Sequence, residues 1–166
     1  MLKIEADDTG PIWIRGGLLR WVENFLPFSR NGGHWAWQNE AIDAYLSNLH
    51  HLAPYPKRIK ITGHSRGGAV AMYLAELFAG QNRYEDTPAE ITVEITGAPR
   101  MWFGSKGRLR DAYVREHCEV KSLIARGDLV TMLPPWFRHT ESKRIGPKKL
   151  MSLRAHHPDY YKEHAE

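Results

Sequence analysis

Ser65 stands in the run Gly63-His64-Ser65-Arg66-Gly67-Gly68, with Ile59-Lys60-Ile61-Thr62 before it and the apolar, alanine-rich stretch Ala69–Ala75 after it. This reads as strand, sharp turn and helix with a serine at the apex, the pattern of a nucleophile elbow. The flanking glycines leave room where strand and helix pack closely, and Ser65 is strained on the turn. Its hydroxyl is thereby held above the sheet, at the head of a helix whose unbonded N–H groups favour negative charge.

A serine hydroxyl is a weak nucleophile near neutral pH. It needs a base within hydrogen-bond reach and a third group to orient that base. Behind such an elbow the partners follow in the chain order Ser, Asp or Glu, His. Asp128, in Gly127-Asp128-Leu129-Val130 at the end of a strand-like stretch, is the natural acid. Asp111 and Asp86 fall in a helical segment and a loop and fit less well. The base must come later, from His139, His156, His157 or His164. His156 and His157 immediately precede the last helical segment. With Pro158 as its first residue, His157 takes the N-cap position and His156 is the freer to turn inward. His156 is therefore favoured, with His157 kept beside it; His139 reads as structural or pocket-lining. Two donors are needed for the oxyanion that forms on the substrate. The backbone N–H of Arg66 is one. The other is assigned to the N–H of Gly17 in Arg15-Gly16-Gly17, which would otherwise be an ordinary Gly-Gly turn.

The elements that must hold these groups alternate along the chain. Pro11–Ile14 reads as a short buried strand, Leu18–Phe28 as a dense aromatic segment, and 29–33 as a loop. Apolar residues at Ile42, Tyr45, Leu46 and Leu49 have helical spacing over about 37–49. Strand 59–62, the elbow and a helix to Phe78 follow, with Gly80 as a plausible C-cap. Glu90–Thr96 alternates as a strand, Lys106–His117 looks helical, Val120–Ala125 is the next strand, and 158–165 is the last helix. Such alternation predicts an α/β fold: a mostly parallel central sheet with helices on both faces. In it Ser65, Gly97-Ala98-Pro99 and Asp128 each lie just past a strand and converge on one edge.

The 166 residues suit a single domain, 1–166, and a hydrophobic content of 42% makes it globular. No apolar run is long enough for a membrane span. The start, Met1-Leu2-Lys3-Ile4-Glu5-Ala6-Asp7-Asp8, carries acids where an export signal would have its apolar core, so the expectation is a cytoplasmic protein. Cys118 is the only cysteine, which excludes an intrachain disulfide. Net charge is +4, with basic clusters at Arg108–Arg115 and Lys143–Lys149. Such clusters form a solvated face or attract an anionic phospholipid surface; no nucleic-acid motif accompanies them. No metal-ligand spacing stands out, since His50-His51 and His156-His157 are adjacent pairs that point apart on regular structure.

Taken together, these motifs resemble those of the lipase class 3 (fungal-type lipase) family of α/β-hydrolases. Arg15-Gly16-Gly17 is similar to the family's RGT or RGS element, and Trp21 and Asn24 to its downstream Trp and Asn. Gly33-His34-Trp35-Ala36-Trp37 echoes its H-x-G-F segment, and Gly63–Gly68 its GHSLGG. Thr96-Gly97-Ala98-Pro99-Arg100 resembles F-G-x-P-R, and Asp128–Pro135 resembles D-x-V-x-x-L-P-P. The resemblance covers roughly residues 11 to 162. It implies a compact α/β-hydrolase fold, with Ser65 as nucleophile, Asp128 as acid and a histidine before the final helix as base. The family histidine precedes a small polar residue at the helix start, with a tyrosine a few residues on, which fits His156; sliding by one gives His157.

Three departures stand out. Gly17 replaces the family's hydroxyl residue, so that side of the oxyanion hole has only a backbone donor. Arg66 replaces the usual leucine after the nucleophile, either to favour an anionic head group or to pair with a nearby carboxylate. The chain is also short for the family. Leu18–Phe28 sits where related lipases carry a lid, although Trp21 and Phe25 would equally pack beneath the oxyanion loop. The expected activity is that of a serine carboxylester hydrolase (lipase or esterase, including phospholipase) cleaving lipid esters through an acyl-enzyme, without metal or organic cofactor. Its partners are a lipid or small ester and an anionic membrane surface. The alternatives are a thioesterase or acyltransferase of the same chemistry, and a weak or inactive hydrolase fold retained as a binding module.

Overall fold

The computed structural model describes residues 1–6, 9–14, 29–48, 54–147 and 152–165. In chain order the elements are β1 (Leu2–Ala6), β2 (Thr9–Ile14), β3 (Ser29–Arg30), β4 (Gly33–His34), α1 (Trp35–Asn48), β5 (Arg58–His64), α2 (Arg66–Gln81), β6 (Glu90–Thr96), α3 (Gly104–His117), β7 (Glu119–Ala125), β8 (Lys143–Ile145) and α4 (Pro158–His164). Six of the strands form one sheet in the order β2-β1-β5-β6-β7-β8. β5 to β8 run parallel, and β1 is antiparallel to both β2 and β5.

Every second residue of β5 and β6 is Ile, Val or Gly, so each strand puts one face into the core and leaves the other polar. Ile59, Ile61, Ile91, Val93 and Ile95 are buried. They meet α2, whose Ala69, Val70, Met72, Leu74, Ala75 and Phe78 are also buried and belong to the same cluster. α2 packs against α1 and α3 as well as the sheet. Between these residues the strands carry Lys60, Thr92 and Glu94, with Lys60 Nζ 2.8 Å from Glu94 Oε2. Among the described residues α2 packs on β5 and β6, and α3 and α4 pack against β7. The parallel strands joined through helices are what place Ser65, Gly97 and Asp128 at one end of the sheet. There the Ser65 N–H donates to the Thr96 carbonyl (3.0 Å) and the Gly97 N–H to the Leu123 carbonyl (2.9 Å).

Several elements differ from the sequence expectations. Leu2–Ala6, noted only for its acids, is an inner strand with Leu2, Ile4 and Ala6 buried in alternation. Segment 29–33 is not wholly loop: β3 and β4 form a minimal hairpin about Asn31-Gly32. α1 and α3 each start two residues earlier than read. Gly80 does not cap α2, which continues through it to Gln81. The cluster Lys143–Lys149 opens with edge strand β8; its residues Lys148 and Lys149 lie outside the described residues. In the cluster Arg108–Arg115, Arg110 pairs with Glu76 and Arg115 with Glu141. Cys118 is buried, which pushes its thiol up to about 12 and leaves it unreactive. Among the described residues no helix is long and apolar enough to cross a membrane.

Candidate active site

The elbow is sharp because two glycines let the chain fold onto itself. A Cβ on Gly63 would lie 2.4 Å from the Gly67 carbonyl oxygen, a distance no side chain tolerates. Between them Ser65 holds φ 58° and ψ −132°. A non-glycine residue at positive φ is strained by ~1–3 kcal/mol, and the surrounding hydrogen bonds must enforce it. The Ser65 carbonyl accepts from Gly68 N–H at 2.9 Å, and the helix begins at Arg66. The Arg66 N–H, in the first turn, has no acceptor within the helix.

Asp128 follows β7 through a tight turn in which its N–H donates to the Ala125 carbonyl (3.2 Å). Its side chain is fully buried. Three donors converge on the carboxylate. Val130 N–H donates to Oδ1 (2.9 Å), while the Tyr161 hydroxyl (2.6 Å) and His156 Nδ1 (2.9 Å) both donate to Oδ2. A carboxylate can only accept, so the proton on His156 sits on Nδ1 and Nε2 is left as the acceptor. Ser65 Oγ lies 2.7 Å from that Nε2.

The segment that delivers His156 is fixed by its own bonds. Ser152 N–H donates to the Gly127 carbonyl (2.9 Å), which ties this segment to the Asp128 turn. The Ser152 side chain then accepts from Arg154 N–H (3.0 Å) and caps the short 3₁₀ turn Leu153–His156. His157 is extended at φ −68° and caps α4, its ring accepting from Asp159 N–H. One residue therefore separates two opposite fates. The His156 ring turns in to Ser65. The His157 side chain is 66% exposed and lines a cleft with Arg154, Asp159 and Glu163.

Other candidates stay apart from this network. His139 donates from Nε2 to the Thr131 carbonyl, and burial lowers its pKa. His164 Nδ1 bonds the Tyr160 carbonyl within α4. Asp111 lies in α3 and Asp86 in the loop before β6. Gly17 and the segment Leu18–Phe28 lie outside the described residues. Among the described residues no group of three or more His, Cys, Asp or Glu side chains could hold a metal ion.

Several residues around this network were given no role of their own from the sequence. Tyr161 is buried in α4; besides donating to Asp128 it accepts from Ala125 N–H (2.9 Å), so it fastens α4 to the end of β7. Burial, then the bond to Asp128, keeps its phenol protonated. Tyr161→Phe removes a donor from a buried carboxylate and leaves a buried N–H without its acceptor. We expect it to destabilise the fold by about 1–3 kcal/mol, measured by urea unfolding, and to lower turnover with little change in KM.

Glu40 of α1 takes up the Arg66 side chain at 3.3 Å, both being mostly buried. Of the two readings of Arg66, the structure thus shows the paired carboxylate. Gly97 passes under the rings, where a Cβ would come within 3.2 Å of His156 Nδ1 and of His64 Cε1.

His64 lies beside His156, ring centroids 5.0 Å apart, and its Nδ1 is 3.0 Å from Thr96 Oγ1. Burial, and next the adjacent His156, bring its pKa from 6.5 down to about 4. Between those values the unfolded chain binds a proton that the folded chain does not, so stability falls as pH drops through that window. His64→Gln keeps an acceptor for Thr96 but cannot titrate. The variant should lose less stability than the parent between pH 6.5 and about 4 in parallel urea titrations.

The lipase (class 3) pattern matches residues 14–138, three quarters of the sequence. The chain belongs to the lipase (class 3) family. Solved lipases share the fold. The Rhizomucor miehei lipase, in its propeptide complex, is 22% identical with a TM-score of 0.55, the match covering 78% of this chain and 45% of that one. A triacylglycerol lipase whose catalytic centre is described as a serine protease triad is 23% identical, with a TM-score of 0.55 and coverage of 73% and 48%. A fungal lipase solved with an inhibitor is 18% identical, with a TM-score of 0.59 and coverage of 81% and 55%. The chain spans about half the length of these lipases. No curated protein matches it in sequence. The class 3 match ends at residue 138, so His156 and Tyr161 lie beyond it, and their place beside Ser65 is a matter of geometry.

Proposed function

We propose that this chain is a serine carboxylester hydrolase that cleaves lipid esters, with residues 1–166 acting as one domain. The observation that carries the reading is the continuous relay from Ser65 Oγ to His156 Nε2 (2.7 Å) and from His156 Nδ1 to Asp128 (2.9 Å). Family membership and the triad described for one solved relative support it.

In the proposed reaction Ser65 Oγ attacks the ester carbonyl carbon while His156 Nε2 takes its proton. Asp128 steadies the resulting imidazolium, and the oxyanion receives hydrogen bonds from the Arg66 and Gly17 N–H groups. Collapse breaks the C–O bond, and His156 returns the proton to the departing alcohol. Water, deprotonated by the same ring, then attacks the acyl-Ser65 ester and releases the fatty acid. Nothing in these steps calls for a metal or organic cofactor. With its thiol buried and no second cysteine to pair with, the chain suits a reducing, cytoplasmic setting.

The test is turnover of p-nitrophenyl esters of graded acyl length, with matched thioesters in parallel, and labelling by a fluorophosphonate. Hydrolysis of oxyesters with the label on Ser65 supports the proposal. Preference for thioesters would make it a thioesterase. No turnover at any chain length or pH would leave a binding module.

A further inference from the structure

Arg66, whose N–H is the proposed oxyanion donor, is joined to α1 by its side chain. The main chain on either side of it is bonded. His64 N–H donates to the Met1 carbonyl (3.0 Å), Ser65 N–H to the Thr96 carbonyl (3.0 Å) and Gly68 N–H to the Ser65 carbonyl (2.9 Å). A Cβ on Gly67 would overlap the Met1 carbonyl, so the first turn of α2 lies tight against Met1. The Arg66 N–H has no acceptor within the helix and is left for a substrate oxygen. The Arg66 side chain crosses to α1, where its Nη2 lies 3.3 Å from Glu40 Oε1. The Arg66 side chain is 20% exposed and that of Glu40 11%, so the two charges meet largely out of water.

Glu40 is buried on α1 along with Trp37, Ala41 and Ala44, and α1 packs on α2. A carboxylate and a guanidinium lose hydration in such a place. Their attraction does little more than offset that loss, so the pair adds little to stability. What it adds is geometry. A charge drawn away from its partner at this depth is heavily penalised, and the pair therefore holds Arg66 and α1 in one register. Register matters at an oxyanion donor, which works by being in place before charge develops on the substrate. On the other side of the proposed hole the sequence offers Gly17, which has no hydroxyl to add a second bond. More of the stabilisation then falls to the Arg66 N–H. Because Arg66 stands where the family's usual residue is leucine, the tie to Glu40 is a departure made by this chain.

We propose that Glu40 is a positioning residue for ester hydrolysis: through its ion pair with Arg66 it fixes the Arg66 N–H as oxyanion donor. The inference rests on the serine hydrolase reading above. The pair acts on the barrier to the tetrahedral intermediate and leaves ester binding alone.

The experiment is a double-mutant cycle of Glu40→Leu and Arg66→Leu. It is read as kcat and KM on a soluble short-chain p-nitrophenyl ester, and as inhibition by a trifluoromethyl ketone, to whose carbonyl Ser65 Oγ adds to give a tetrahedral oxyanion. Urea midpoints are measured on all four proteins. Each single change leaves one charge of the pair without the other and should lower both kcat and the urea midpoint. The double variant removes both charges, so its midpoint should match or exceed the parent's. Its kcat should nevertheless stay about tenfold below the parent's, a fraction of the ~10²-fold that losing a whole donor costs. KM should stay within about twofold, and the ketone should inhibit about tenfold more weakly, as a transition-state interaction requires. The two single losses should not multiply in the double variant. Arg66→Lys, which keeps a cation on a flexible stem, should fall between the parent and Arg66→Leu in kcat. A double variant with the parent's kcat overturns the proposal, since the pair then serves packing alone. So do single losses that multiply, since the two side chains then act separately, and a loss carried by KM with ketone inhibition unchanged. An active parent with an equally active double variant sinks this inference alone. A parent that turns over no ester sinks the hydrolase reading, and this inference with it.

Discussion

Ser65→Ala should abolish ester turnover, lowering kcat by ~10⁴-fold or more while the protein stays folded. The reasoning is local. Only Oγ is lost, and its partner is His156 Nε2 on a ring still held by Asp128. Alanine fits the space and differs by one atom. The residue nevertheless stays at φ 58°, so the strain of the elbow remains and stability should change by no more than about 1 kcal/mol. Residual hydrolysis above the water rate would come from the oxyanion donors and substrate binding. The measurement is the steady-state kcat of parent and variant on one ester, with fluorophosphonate labelling as a second readout. A variant that labels and turns over like the parent would mean that another residue is the nucleophile.

The second large effect separates two adjacent histidines. His156→Ala should cost a similar factor in kcat, because it removes the base from Ser65 and an imidazole from the buried Asp128. His157→Ala should leave kcat within about twofold, since that ring faces solvent. Its effect should instead appear as a stability loss of no more than about 1 kcal/mol, from a weak side-chain cap on α4. Measuring kcat and urea midpoints on both variants decides the matter. Loss of activity in His157→Ala with retention in His156→Ala would reverse the assignment and break the relay.

That pair also marks how far the sequence could be read. The elbow was legible because glycine spacing, strand and helix all had to agree, and Asp128 because chain order and a strand end coincided. His156 and His157 sit in the same composition, and the sequence favours His156 only through the N-cap reading of His157; the rings part where the 3₁₀ turn ending at His156 gives way to the extended cap residue His157. Glu40 was invisible for a different reason. A glutamate in a helix of low amphipathic contrast reads as a solvent-facing residue, and only the packing of α1 on α2 brings it to Arg66. β1 did carry a period-two signal in Leu2, Ile4 and Ala6, but five residues with two charges and an acidic sequel masked it. β8 is three residues long and rich in cations, too short for any periodicity to show.

The Tyr161 bonds have a temporal consequence. The proposed nucleophile and base, Ser65 and His156, are 91 residues apart, and the carboxylate that holds the base, Asp128, is itself held by the Tyr161 hydroxyl, five positions beyond His156. A chain emerging from the ribosome carries the residues of the elbow long before it carries the proposed proton acceptor. On the proposed mechanism, hydrolytic competence would arrive only with α4, and a chain stopped before it would hold an inert serine.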